Sequence, residues 1–459
     1  LWIDPELDLF VVFLSSRLHP DGRGEVNSLA GRIGTIAAAA VRLPALEADR
    51  TSARALPASK TRPVAEVLTG LDVLRRDRFR QLAGRRVGLI ANHTTLSREG
   101  THAAKLLADA RNVTLVKLFS PEHGFDGRLD EAHVADDRDP TTHLPVLSLY
   151  GETRTPTKDM LADIDTLVFD VQDVGTRFYT YISTMGCCMQ AAAEHGLRFV
   201  VLDRPNPVNG VDVAGPVLDA GRESFVGFHR LPVRHGMTVG ELAELFRAEL
   251  KLPLDLQVVR MEGWRRDMLH DATGLRWVDP SPNMRSLTEA LLYPGIGLLE
   301  ATNLSVGRGT ETPFEVIAAP WLDEPKLTAA LNASGLPGVR FAPIRFQPLS
   351  SKYAGTECGG VKITITDRNV FRPVRTGLEI ARCLRALHGR QWRARAVDRL
   401  LVNRRALDAL LAGQTVTEIE WAWQGPLAEF MRRRSAVLLY DRPREPEGLP
   451  DGRKTVPGD

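Results

Sequence analysis

Glu122 and His123 stand side by side in Ser120-Pro121-Glu122-His123-Gly124, directly behind an apolar stretch that ends at Phe119. A tight turn explains the Pro and the Gly, but it seldom needs a carboxylate and an imidazole together. Three more polar clusters follow comparable apolar runs: Asn92-His93-Thr94-Thr95, the stretch from Asp170 through Asp173 and Arg177 to Tyr179, and Asp203-Arg204-Pro205-Asn206-Pro207. Two carboxylates on neighbouring strand ends suit glycoside hydrolysis. One must be protonated to release the leaving oxygen, and the other must stay ionised to meet the oxocarbenium-like charge. Glu122, beside Pro121 and Phe125, is the carboxyl that desolvation would keep protonated, whereas Asp170 or Asp173 near Arg177 would stay ionised. Each cluster also has a structural reading. Asn92, Asp170, Asp173 and Asp203 are residue types that cap turns and helix starts, and Arg177 is a ready partner for either aspartate. Tyr179 and Tyr181, two apart, can pack on opposite sides, with one facing a cleft.

Other chemistries find less support. His93, Glu122, His123, Asp170 and Asp173 are acceptable zinc or magnesium ligands, so a metal-dependent hydrolase is one alternative. Only the adjacent Glu122-His123 has a recognisable spacing, and no metal ligand set is assigned. The chain has no GxGxxG behind a strand, no GxxxxGK[ST] and no HExxH, and no cofactor is expected.

The elements that must position these residues are short apolar runs alternating with helices. Helices are expected over 64–77, 100–110, 158–162 and 179–195, and strands over 86–91, 113–119, 166–169 and 198–202. That alternation predicts an α/β fold, a Rossmann-like layered domain whose parallel sheet is covered on both faces. In such a sheet ligands bind beyond the carboxyl ends of the strands, where all four clusters fall. Thr238 with Glu241 forms a capping box for a helix over 239–250, followed by a strand over 256–259. Beyond residue 290 a helix near 326–333, strands over 339–345 and 360–366, and helices over 376–387 and 394–401 read as a smaller α+β domain.

The N-terminal region differs. Residues 1–16 read as a hairpin, Asn27 or Ser28 caps a helix to about Val41, and residues 46–63 read as a linker. The chain opens at Leu1 in strand-like sequence, which marks a fragment whose secretion signal, if any, lies upstream. The tail over 442–459 is expected to be disordered. The 59 Lys and Arg residues nearly balance 57 Asp and Glu, so no bulk field draws the protein to nucleic acid. Its longest apolar runs are six residues, against roughly 20 for a membrane-spanning helix, so no membrane span is expected. Four cysteines without a CxxC leave the compartment open.

Residues 1–45, with LWIDPELDLFVVFLSSRLHP, resemble the C-terminal edge of serine β-lactamase-like hydrolases, although neither Ser-x-x-Lys nor Lys-Thr-Gly occurs in the chain. From about Gly70 to Asp441 the sequence resembles the NamZ family of exo-β-N-acetylmuramidases. The segments that carry this are GLIANHT, LFSPEHGFDG, LPVLSLYG, LVFDVQDVGTRFYTYISTM, VVLDRPNPVNG, PVRHGMTVGEL, WVDPSPNMRS and LEATNLSVGRGTETPFE. The resemblance implies release of N-acetylmuramic acid from the non-reducing ends of peptidoglycan fragments outside the cytoplasm, periplasmic or secreted. It also implies a catalytic domain over 64–290, a second domain over 291–441 and a cleft between them. Glu122 becomes the first choice for the catalytic acid, with Asp170 or Asp173 as second carboxylate. The substrate-binding candidates are Asn92, His93, His123, Arg177, Tyr179, Asn206, Asn283, Asn303, Arg308 and Glu311. Arg177 or Arg308 could clamp the lactyl carboxylate, and the 2-acetamido group could act as an internal nucleophile. A non-catalytic muropeptide-binding protein is the alternative from a different class.

Overall fold

In the computed structural model the described residues are 2–4, 9–11, 66–131 and 133–441. The chain divides into two units, residues 1–61 and 62–459. In the first, β1 (Trp2–Asp4) pairs antiparallel with β2 (Leu9–Val11), Trp2 opposite Val11, as expected of the hairpin. The helix behind Asn27 or Ser28, the linker over 46–63 and the tail over 442–459 lie outside the described residues.

The second unit is built on seven strands: β3 (Arg86–Ala91), β4 (Thr114–Ser120), β5 (Asp137–Arg138), β6 (Pro145–Ser148), β7 (Thr166–Asp170) and β8 (Arg198–Leu202), then, past the two-stranded ribbon of β9 (Ala214–Val217) and β10 (Pro232–Arg234), β11 (Leu256–Val259). Their order is β11-β8-β7-β3-β4-β6-β5, parallel except for the antiparallel edge strand β5. Strands added after β4 go to one side of β3 and those from β7 onward to the other, so the direction switches between β3 and β7.

Period-two alternation explains why both faces are covered. Phe169, Phe199 and Val201 face one way, into a core with Ile182, Met185 and Leu242 from helices Tyr181–Glu194 and Val239–Glu249. Val168, Val200 and Leu202 face the other way, with Val87 and Leu89, against Leu71, Leu74 and Leu107 from helices Gly70–Arg76 and Ala103–Ala108. The Thr238–Glu241 capping box forms as expected. The helix expected over 158–162 does not: Leu161 N donates to Thr157 O at 3.1 Å in a short turn. Asp163, with φ of 65° in the left-handed region, stops it from propagating.

Beyond helix Leu287–Ile296, β12 (Val316–Ala319), β13 (Val339–Phe346) and β14 (Cys358–Ile365) form an antiparallel sheet with β14 central. Helices Glu324–Ala333 and Pro373–His388 accompany it. The apolar core that begins under the large sheet runs without interruption into this region, through Phe314, Ile317 and Leu384. Helices Leu287–Ile296 and Pro373–His388 meet at Gly295 and Gly377, where an added Cβ on Gly295 would lie 2.0 Å from Pro373 O. Only glycine permits that approach.

Candidate active site

Strand β4 delivers Glu122 at its carboxyl end. The next turn is fixed by Gly124 N donating to Pro121 O at 3.2 Å and by His123 in the left-handed region, φ 72°. Its imidazole Nδ1 meets Leu129 O at 2.5 Å. Strand β6 brings Tyr150, the loop after β7 brings Tyr179 and Thr180, and the segment past helix Leu287–Ile296 brings Glu300 and Arg308. These residues enclose a cleft of about 400 Å³, with Phe178, Tyr293 and Phe314 forming apolar wall. That is within the usual size of small-molecule sites.

Hydrogen bonds and charge converge on Glu122. Thr180 Oγ1 donates to its Oε2. Tyr150 also bonds to it, and burial, followed by the Glu122 charge, pushes the Tyr150 phenol up to about 12, so the phenol keeps its proton. Across the cleft Glu300 pairs with Arg308 Nε at 2.5 Å, and Arg308 also faces Asp130 at 3.4 Å. Burial pushes the Glu300 carboxyl up, opposed by Arg308 and Lys352. Burial is the largest single effect on Arg308 and opposes its charge, but Glu300, Tyr293, Asp130 and Glu122 together outweigh it and the guanidinium stays above its ordinary value. Asn283 Nδ2 donates to Asp130 Oδ2 at 3.0 Å, which joins the rim to the same network. Tyr179 and Tyr293 stack edge-on at 5.9 Å between their ring centres. Both are held well above the ordinary phenol range by burial.

Backbone strain gathers here as well. His123, Phe314 and Ser351 line the cleft with φ of 72°, 63° and 65°, conformations that cost non-glycine residues of order 1–3 kcal/mol each. Strain of this kind persists where the surrounding structure fixes a functional geometry.

Of the residues singled out in the sequence, Glu122, His123, Tyr179, Asn283 and Arg308 line this cleft. The others sit elsewhere. Asp170 is fully buried, bonded through both oxygens to Arg204, with Arg204 Nη2 to Asp170 Oδ2 at 3.0 Å. Asp173 accepts from Gly175 N at 2.7 Å and faces His235 Nε2 at 3.4 Å. Arg177, expected beside an aspartate, is instead enclosed by the carbonyls of Pro216, Leu231, Leu400 and Leu401, at 2.6–3.0 Å. Burial pushes its guanidinium down to about 9. Asn92 accepts from Thr94 N at 3.0 Å in a local turn, and Asn206 binds Met237 O at 2.9 Å. His93 Nε2 meets Asp279 O at 2.6 Å, its ring packed so closely on Gly127 that a Cβ there would come within 1.9 Å. Asn303 bridges Gln391 O and Arg393 N, at 2.8 and 2.7 Å, while Glu311 is exposed.

A second crevice lies at the β3–β7 switch, lined by Thr94, Gln172, Arg204, His270 and Trp277. Strand topology favours this position for a ligand. At about 140 Å³ it is well below the volume of the Glu122 cleft, and Arg204 in its lining is already paired with the buried Asp170. Among the described residues no three His, Cys, Asp or Glu side chains converge as metal ligands, and no helix is long and apolar enough to cross a membrane.

The family model described as exo-β-N-acetylmuramidase NamZ, N-terminal, matches residues 87–288, and its C-terminal counterpart matches residues 291–440. The chain belongs to the NamZ family. It is 42% identical over 399 residues to the peptidoglycan β-N-acetylmuramidase NamZ of Bacillus subtilis strain 168, covering 85% of this chain and 96% of that protein. Two crystal structures of DUF1343 family proteins from Bacteroides fragilis NCTC 9343 share the fold. One has a TM-score of 0.77 at 36% identity and the other 0.67 at 29%, each covering 82% of this chain and all of its own. Set against the NamZ halves, the cleft is a joint product: Glu122, Tyr150, Thr180 and Asn283 come from the N-terminal match, and Tyr293, Glu300, Arg308 and Lys352 from the C-terminal one.

Sequence reasoning missed Tyr150, Thr180, Glu300 and Lys352. Glu300 closes the apolar run Leu298-Leu299, and a carboxylate ending such a run is a usable signal for a buried acid. The other three carry no local signal.

Proposed function

We propose that this protein is an exo-acting glycoside hydrolase that releases N-acetylmuramic acid from the non-reducing ends of peptidoglycan fragments. The observation that carries this reading is the cleft carboxylate Glu122, bonded by Thr180 and Tyr150 opposite the Glu300–Arg308 pair, in a chain of the NamZ family. Glu122 exchanges a proton with the glycosidic oxygen, and Thr180 and Tyr150 hold it in place. Glu300, which lines the cleft, is the second carboxylate in place of Asp170 or Asp173, neither of which lines it. Positive charge that develops at the anomeric carbon meets that carboxylate in a partly desolvated site, where electrostatic stabilisation is strongest. Tyr179 and Tyr293 supply an apolar wall for the sugar ring.

The same reading takes residues 64–290 as the domain that carries Glu122 and residues 291–441 as the one that closes the cleft. It places the protein outside the cytoplasmic membrane, where polymeric peptidoglycan lies, which cell fractionation tests. Residues 1–45 are read as the closing edge of a serine β-lactamase-like domain, supported by the antiparallel pairing of β1 with β2.

The test of the activity is nitrophenol release from 4-nitrophenyl β-N-acetylmuramic acid, run with and without EDTA. Chelator-resistant release by purified protein supports carboxylate catalysis. Release abolished by EDTA and restored by a divalent cation would favour the metal-dependent alternative. Folded protein that binds muropeptides without turnover would make it a binding protein.

A further inference from the structure

Three cationic side chains line the cleft: Arg308, Lys352 and Arg399. They differ in how far their charge is already met. Arg308 lies between Glu300 and Asp130. Lys352 Nζ donates to the backbone oxygen of Glu300, which leaves other N–H bonds of the ammonium without an acceptor among the described residues. Arg399 is exposed, and its guanidinium makes no ion pair or hydrogen bond with any described residue. It is near enough for its charge to oppose protonation of Lys352, although burial is the larger opposing effect. Arg177, the other arginine considered for anion binding, is enclosed by four carbonyls and does not line the cleft.

Lys352 is also held more firmly than a surface lysine. It sits between Ser351 and Tyr353, both left-handed with φ of 65° and 61°. The loop is tied down by Leu349 N donating to Gly309 O at 2.9 Å and by Tyr353 Oη donating to Asn303 O at 2.8 Å. Gly309 lies so close that a Cβ there would be 2.3 Å from Ser350 O. Two strained residues in three are costly for a loop with no task. Here they hold an ammonium in a cleft where Arg399 meets no counter-charge among the described residues. Two under-neutralised cations in one cavity suit a ligand carboxylate.

We propose that Lys352 and Arg399 bind the carboxylate of the 3-O-lactyl group, and so select N-acetylmuramic acid over N-acetylglucosamine, which lacks it. This rests on the muramidase reading of the same cleft. The structural alternative is that Lys352 only offsets the Glu300 charge, in which case its loss would affect every substrate alike.

The experiment uses the full chain and three 4-nitrophenyl glycosides: β-N-acetylmuramic acid, the same sugar with its lactyl carboxylate converted to a methylamide, and β-N-acetylglucosamine. Lys352→Met and Arg399→Met are each expected to lower kcat/KM on the muramic substrate by about 10–100-fold, chiefly through KM. The muramic-to-glucosamine ratio falls by the same factor, and Lys352→Arg recovers part of it. Converting the carboxylate to the methylamide costs the unmodified protein a similar factor, and the two losses do not add. Equal losses on the acid and the methylamide, or no loss on either, would overturn the assignment. Should the unmodified protein cleave none of the three, the muramidase reading fails, but calorimetry with free N-acetylmuramic acid still decides this one. Binding weakened about 10–100-fold by Lys352→Met upholds the assignment, and unchanged or absent binding rejects it.

Discussion

Two polar regions share one edge of the large sheet, and they are built from the same residue types. Behind β3, β7 and β8, Asp170 grips Arg204, whose Nη2 also donates to Leu96 O at 3.1 Å. Asp203 accepts from Arg204 N, Thr238 Oγ1, Gly240 N and Tyr440 Oη at 2.6–3.0 Å. Behind β4 and β6, Glu122 and Tyr150 face a cavity together with Glu300, Arg308 and Lys352. Around Asp170, Arg204 and Asp203 the polar groups answer one another and hold loops in place. In the second region, hydrogen-bonding capacity remains for something that is not protein. A carboxylate at a strand end therefore becomes a catalytic candidate through what is left unmatched around it, a property that residue type alone does not reveal.

The sharpest way to break this contrast is Glu122→Gln. The change keeps the shape and the Thr180 hydrogen bond but removes the exchangeable carboxyl proton. Turnover of the muramic glycoside should fall about 10²–10⁴-fold, the usual worth of a positioned acid or base. Stability should move by no more than about 0.5 kcal/mol, since the residue is only partly buried. Full activity in the variant would move the chemistry out of this cleft.

Asp170→Asn tests the other region. Asp170 is 0% exposed and Arg204 6%, so removing the carboxylate leaves a buried guanidinium without its counter-charge. The expected cost is about 3–5 kcal/mol in urea unfolding, with kcat of the folded fraction close to that of the unmodified protein. A large loss of kcat at unchanged stability would return Asp170 to the list of catalytic carboxylates.

These contrasts also show where the sequence is readable. β3, β8 and β11 have the residue bounds that alternation and β-branching imply; in β3 and β8, burial of nearly every residue leaves a continuous apolar signature. The two-residue edge strand β5 is too short for a period to show, and β6, between β4 and β5, and β12 are only four residues each. Glu122 and His123 are visible because they closely follow a strand, and Tyr179 because it lies just ahead of the helix that begins at Tyr181. Glu300 and Lys352 reach the cleft from a different half of the chain, by a packing of Gly295 on Gly377 that no local pattern encodes. Arg177 misleads for a related reason: a cation in a polar loop suggests a ligand, but its surroundings are carbonyls brought by residues 39 to 224 positions away.

A pH experiment separates the two regions with a smaller effect. His270 lines the switch-point crevice, is 7% exposed, and stacks edge-on with Trp277 at 5.1 Å. Burial pushes its imidazole from 6.5 down to about 4. The folded protein therefore holds it neutral over a range where the unfolded chain would bind a proton. Its contribution is fully present above pH 6.5 and is lost as pH falls toward 4, by about 3 kcal/mol across the window. Urea unfolding between pH 4 and pH 7 should show that loss, and His270→Phe, which keeps an aromatic ring against Trp277, should reduce the slope. If this crevice is purely structural, the same substitution leaves the pH–rate profile of the muramic glycoside in place. A profile that moves with His270→Phe would mean that the two regions titrate together, and that the switch-point crevice takes part in the chemistry.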